Sequence, residues 1–88
     1  MKRAEILDTA KEYVTKDRAA THGQAEDSFT LIAEYWSVYL QNPITSYDVA
    51  VLMVLFKVAR MQGNPTHLDS ATDACGYAAL AGEIAVRG

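Results

Sequence analysis

Between Ile44 and Ala81 the chain reads ITSYDVAVLMVLFKVARMQGNPTHLDSATDACGYAALA, and this stretch limits the possible folds more than any other. From Val49 to Phe56 apolar residues occupy every direction of a helical projection, so a helix formed here has no side suited to open water. The same segment carries Asp48, Lys57 and Arg60. It breaks at Gly63-Asn64-Pro65, and the small-residue segment that follows carries Asp69 and Asp73. Burying charge without a partner is costly. These acids and bases are therefore expected to meet one another or a charged ligand.

The periodicity and the breaks predict four helices and no strand. The first spans about Arg3 to Thr15, with Ile6, Ala10, Tyr13 and Val14 on one side. A polar segment from Lys16 to Gln24 follows, turning at Gly23. The second runs from about Ala25 to Leu40, with Phe29, Ile32, Ala33, Trp36 and Leu40 as its buried stripe. Asn42-Pro43 ends it. Thr45 precedes Asp48 by three residues, a capping-box spacing that opens the third helix. β-branched residues are frequent there, but the length and the Lys57–Arg60 spacing favour helix over strand. This third helix runs to about Gln62 and is expected at the centre of the fold. The fourth extends from about Leu68 to Val86. Ala71, Ala74, Cys75, Ala78, Ala81 and Ala85 form its small face, and Tyr77, Leu80 and Ile84 a larger one. The expected architecture is a compact all-α four-helix domain over 1–88, helices three and four forming an antiparallel hairpin.

Eighty-eight residues support one small domain with a thin stability margin. Half of them are hydrophobic, more than so short a chain readily covers, so a homo-oligomer is expected. A formal charge of −3 argues against nucleic acid as partner. The single cysteine, Cys75, excludes an intramolecular disulfide, suits a core position and offers no zinc spacing. MKRAEILDTAKEYV lacks the continuous apolar core of a signal peptide, and Val49–Phe56 is too short to span a bilayer. The expected location is cytoplasmic, with no membrane partner.

Lys57 and Arg60 point the same way on their helix, and Asp69 and Asp73 are one turn apart on the next. Two readings stay open. The four form an interhelical ion-pair cluster, or the bases hold phosphate while the acids hold a hydroxyl, a base edge or a metal. Asp48 is either a helix N-terminal acid or a further contact. Arg18 and His22 lie in the polar segment before a helix N-terminus, a place that receives anions. Tyr35 and Tyr39 flank the buried stripe of helix two, suited to stacking on a base or to lining an interface. No serine or cysteine has the partners of a nucleophile.

THGQAEDSFTLIAEYW, ITSYDVAVLMVLFKVAR and HLDSATDACGYAALAGEIA together resemble a family of small phage and prophage proteins, a domain of unknown function. Its members read roughly (H/Y)GD-x-x-x-NF, T-x-x-DV-x-x-M-x-x-LK-x-AR and DS-x-x-D-x-AGYA. The likeness covers about residues 17 to 85, with Gln24 and Ser28 where many members carry aspartate and asparagine. That family is more distantly similar to MazG-like all-α nucleotide pyrophosphohydrolases. The resemblance implies a helical, oligomeric protein that acts on or binds a phosphorylated nucleotide, and the expected role in a phage setting is to bind and sequester a nucleotide immune signal. MazG-like enzymes hold magnesium with a Glu-x-x-Glu pair and a further acidic pair. This chain has no Glu-x-x-Glu, and Glu34, Asp48, Asp69 and Asp73 are the acids that would replace it. The expected ligand contacts are thus Arg18, His22, Tyr35, Tyr39, Asp48, Lys57, Arg60, Asp69 and Asp73, with no cofactor unless the protein is an enzyme, when magnesium would serve. The alternatives are a magnesium-dependent nucleotide pyrophosphohydrolase and a helical protein that blocks a host protein.

Overall fold

The computed structural model describes residues 2–17 and 25–87. Four α-helices account for most of them: α1 (Arg3–Glu12), α2 (Ala25–Leu40), α3 (Ser46–Gly63) and α4 (Leu68–Arg87). There is no strand among the described residues. The four-helix expectation is met, with boundaries within a few residues of those read from the sequence. One difference lies at the end of α1, where Tyr13–Asp17 widens into a π-helical turn instead of continuing as α-helix.

Local chemistry sets the boundaries. Gln41, just past α2, has φ 52, a left-handed conformation, and Asn42 N–H donates to the Ser37 carbonyl at 3.2 Å. This closes the C-terminus in the manner of a Schellman cap. The Ser37 hydroxyl accepts from Ile44 N–H at 2.8 Å and so ties the connection back onto α2. The α3 cap is the one the sequence predicts. Asp48 N–H donates to Thr45 Oγ1 at 3.1 Å, and Thr45 N–H donates to Asp48 Oδ2 at 2.9 Å. After α3 the turn is short, with Asn64 N–H bonded to the Arg60 carbonyl and His67 N–H to that of Asn64. It folds α4 back along α3, and these two helices share the most extensive contact in the molecule.

The core joins Phe29 and Ala33 of α2, Val49 and Ala50 of α3, and Tyr77, Leu80 and Ala81 of α4. The Phe29 and Tyr77 rings meet with centroids 6.2 Å apart, within the range of favourable aromatic pairs. Three sequence expectations are corrected here. In α2, Leu40 is exposed and Trp36 only half-buried. In α4, Ala78 and Ala85 face solvent and Cys75 is half-buried, because Tyr77, Leu80 and Ala81, with Ser70, Thr72 and Gly76, turn inward instead. In α3, only Val49 and Ala50 are buried, and Leu52, Leu55 and Phe56 reach solvent. This helix is not enclosed on all sides within one chain.

Candidate functional site

Folding α4 back on α3 brings the C-terminal part of one helix against the N-terminal part of the other. Lys57 Nζ lies 3.0 Å from Asp73 Oδ2, and each side chain keeps only about one-sixth of its surface in water (16% and 17%). The pair is therefore screened far less than a surface contact, and each charge depends on the other. The Phe56 ring lies beside Lys57 Nζ, 5.4 Å from the centroid, and beside the Arg60 guanidinium at 5.8 Å.

One turn beyond Lys57, Arg60 is exposed, and one turn before Asp73, Asp69 is exposed. Among the described residues neither is in an ion pair. The predicted four-residue cluster thus divides into a closed lysine–aspartate pair and an open arginine and aspartate that are not bonded to each other.

Asp73 also lines a narrow cleft with Tyr13, Thr72, Gly76 and Tyr77, against the π turn. Its volume is about 10 Å³, room for about one water. Gly76 permits this close packing, since a Cβ there would lie 3.0 Å from Val14 Cγ1. Single π turns inside helices are frequent at functional sites. Tyr13, Thr72 and Tyr77 join the neighbourhood of Asp73, where the sequence offers Tyr13 and Tyr77 as packing residues and gives Thr72 no role. The one available signal was the four-residue spacing of Asp73 and Tyr77.

The remaining sequence candidates do not gather at this point. Asp48 is bonded within the α3 cap, nine residues from Lys57 and hence about 14 Å away along the helix. It borders a separate open groove of about 430 Å³ with Pro43, Tyr47 and Leu52. Tyr35 and Tyr39 are 70% and 86% exposed, on a solvent-facing flank of α2 beside its buried stripe. Arg18 and His22 lie outside the described residues. No group of three acidic, histidine or cysteine side chains suited to a metal occurs among the described residues. No helix among them is long and apolar enough to cross a membrane.

Fold and side-chain cluster together define a small all-α domain built around a partly buried lysine–aspartate pair. The chain belongs to the family described as a domain of unknown function, DUF6378, which it matches over residues 5–85. It is 41% identical over 73 residues to the Gene 55 protein of Mycobacterium phage D29, covering 83% of this chain and 48% of that protein. Against the Gene 55 protein of Mycobacterium phage L5 it is 40% identical over 76 residues, covering 85% and 49%. The chain thus spans about half the length of the curated relatives it matches, and the expected phage family is the one found. No solved structure matches it.

Proposed function

We propose that this phage-family domain binds a phosphorylated nucleotide where the end of α3 meets the start of α4, and that it holds the ligand without converting it. The observation that supports this reading is the division of the cluster. Lys57 is fixed by Asp73 at 3.0 Å, whereas Arg60, one turn away and exposed, has no carboxylate of the described residues in ion-pair reach. A guanidinium left open beside an anchored ammonium suits a phosphate at the rim, through charge-assisted bonds. Asp69, also open, suits a ribose hydroxyl. Arg18 and His22 follow the π turn in sequence and are the further phosphate candidates. The cleft admits about one water, so the ligand would sit over its mouth. Sequestering a nucleotide immune signal in an infected cell is the role such binding would serve.

Thermal unfolding with nucleoside triphosphates and with cyclic dinucleotides tests the reading. A ligand at one hundred times its dissociation constant adds ~2.7 kcal/mol. For a domain of this size that raises Tm by about 10–15 °C. Arg60→Ala is expected to remove most of the rise while lowering the unliganded Tm by no more than about 5 °C, because Arg60 is exposed and loses only its contact with the Phe56 ring. No rise with any of these compounds would reject the proposal. Release of phosphate or pyrophosphate would replace it with the magnesium-dependent pyrophosphohydrolase.

A second reading, a helical protein that docks on a host protein, has one observation in its favour. Leu31, Tyr35, Val38 and Tyr39 make an outward apolar stripe on α2, each at least half exposed. Tyrosine-rich apolar faces are the usual anchors of protein partners. Loss of a host-protein complex on Tyr35→Ala with Tyr39→Ala, and no nucleotide effect on Tm, would favour it.

A further inference from the structure

The middle of α3 is arranged inside out. Its one charged residue between Asp48 and Arg60 is Lys57, and Lys57 turns inward to Asp73. Leu52, Leu55, Phe56 and Val58 turn toward solvent. A helix of one isolated chain is expected to do the opposite. We infer that the outward face of α3 is a self-association surface, covered by α3 of a second copy running antiparallel to it.

Three observations select a second copy. The first is area. A fully exposed aromatic side chain presents on the order of 150–250 Å², and leucine and valine lie at or below the low end of that range. The fractions of Leu52, Leu55, Phe56 and Val58 left in water are 38%, 57%, 49% and 47%, roughly 300 Å² of apolar surface. A monomer seldom leaves such a patch without a function. Two copies give about 600 Å² from these side chains alone, and the flanking residues along the helix carry the total toward the ~1,000 Å² that a specific interface needs.

The second is spacing. Asp48, Leu52, Leu55, Ala59 and Gln62 follow one another at intervals of four, three, four and three. That is the alternation with which one helix seats against another along a seam. The third is the order of sizes along that seam. A two-fold axis through its middle residue, Leu55, sets Leu52 of each copy opposite Ala59 of the other, and Asp48 opposite Gln62. Large then meets small, a carboxylate meets an amide, and the helix dipoles oppose. Parallel pairing would set alanine on alanine and aspartate on aspartate. A self-complementary patch is what two-fold association requires.

Light scattering on the eluting peak of a sizing column, with the whole chain from micromolar to ~100 µM, tests this. A dimer is expected, and Leu55→Glu should weaken it by ~100-fold or more while keeping native helicity, since Leu55 is 57% exposed. Tyr39→Glu, on the outward face of α2, should leave the dimer intact. Should Leu55→Glu fail to fold, oxidation of Leu55→Cys in a Cys75→Ser background gives the answer, because residues on the axis cross-link to their own copies. Val86→Cys, 85% exposed at the far end of α4, should not cross-link comparably. A monomer at every concentration, a dimer indifferent to Leu55→Glu, or no cross-link at position 55 would overturn the inference. A monomer would leave the face to a different protein.

Discussion

Replacing Lys57 with methionine isolates the energetics of the α3–α4 contact. Methionine keeps most of the unbranched stem and removes the ammonium, leaving the Asp73 carboxylate 17% exposed and without its cation. Breaking a fully buried ion pair costs about 3–5 kcal/mol, and an exposed pair is worth under ~1 kcal/mol. With one-sixth of each side chain in water, the expected cost is ~2–3 kcal/mol. Asp73→Asn should cost a similar amount, because it strands the ammonium. The double variant should be less destabilised than the sum of the two singles by at least ~1 kcal/mol, the signature of a direct interaction. Urea unfolding at fixed protein concentration measures all four corners of the cycle, with an unchanged slope marking a change in stability alone. The single variants should melt ~10–15 °C below the parent. Costs under ~0.5 kcal/mol for both singles, or strict additivity, would show that the pair does not hold the hairpin and refute the reasoning.

Three further expectations concern the backbone. Gln41→Gly should stabilise by ~0.5–1 kcal/mol, read as a raised urea midpoint, because Gln41 occupies a left-handed conformation that a side chain disfavours. Gly82→Ala should add ~1 kcal/mol and several degrees in Tm, since a Cβ there meets nothing within 4 Å and alanine is the better helix former. Thr45→Ala should cost about 1 kcal/mol in the same assay, as the Asp48 N–H loses the oxygen it donates to at 3.1 Å.

Much of this architecture is legible in the sequence because its punctuation is local. Asn42-Pro43, the Thr45–Asp48 box and Gly63-Asn64-Pro65 act over three or four residues, and the helices start and stop close to them. The short turn also implies that Lys57 and Asp73 lie near each other. What the sequence does not carry is direction around a helix whose composition is uniform. Between Val49 and Phe56 every side is apolar, so the pattern says that water is unwelcome without saying which neighbour excludes it. Only Val49 and Ala50 are fully buried within the chain, with Val51, Met53 and Val54 half-buried against the core. The alanines of α4 mislead in the same way, since small residues are compatible with both sides, and it is Tyr77 and Leu80 that choose the inward one. The π turn at Tyr13–Asp17 packs at Val14 against Gly76, some sixty positions away in the chain, a neighbour that no local pattern announces. Residue type alone groups Asp48, Tyr35 and Tyr39 with the cluster. Helix rise separates Asp48 from it, and helix phase turns the tyrosines outward.

The most direct test of the nucleotide site is a titration followed by amide chemical shifts. A nitrogen-15-labelled sample receives a nucleoside triphosphate or cyclic dinucleotide that raises Tm. The expected result is a saturable set of shifts confined to Lys57–Arg60, Asp69–Tyr77 and the Tyr13–Asp17 turn, with the amides around Asp48 and along Leu31–Tyr39 unmoved. Shifts centred on those latter residues, or a spectrum unchanged at saturating ligand, would contradict it.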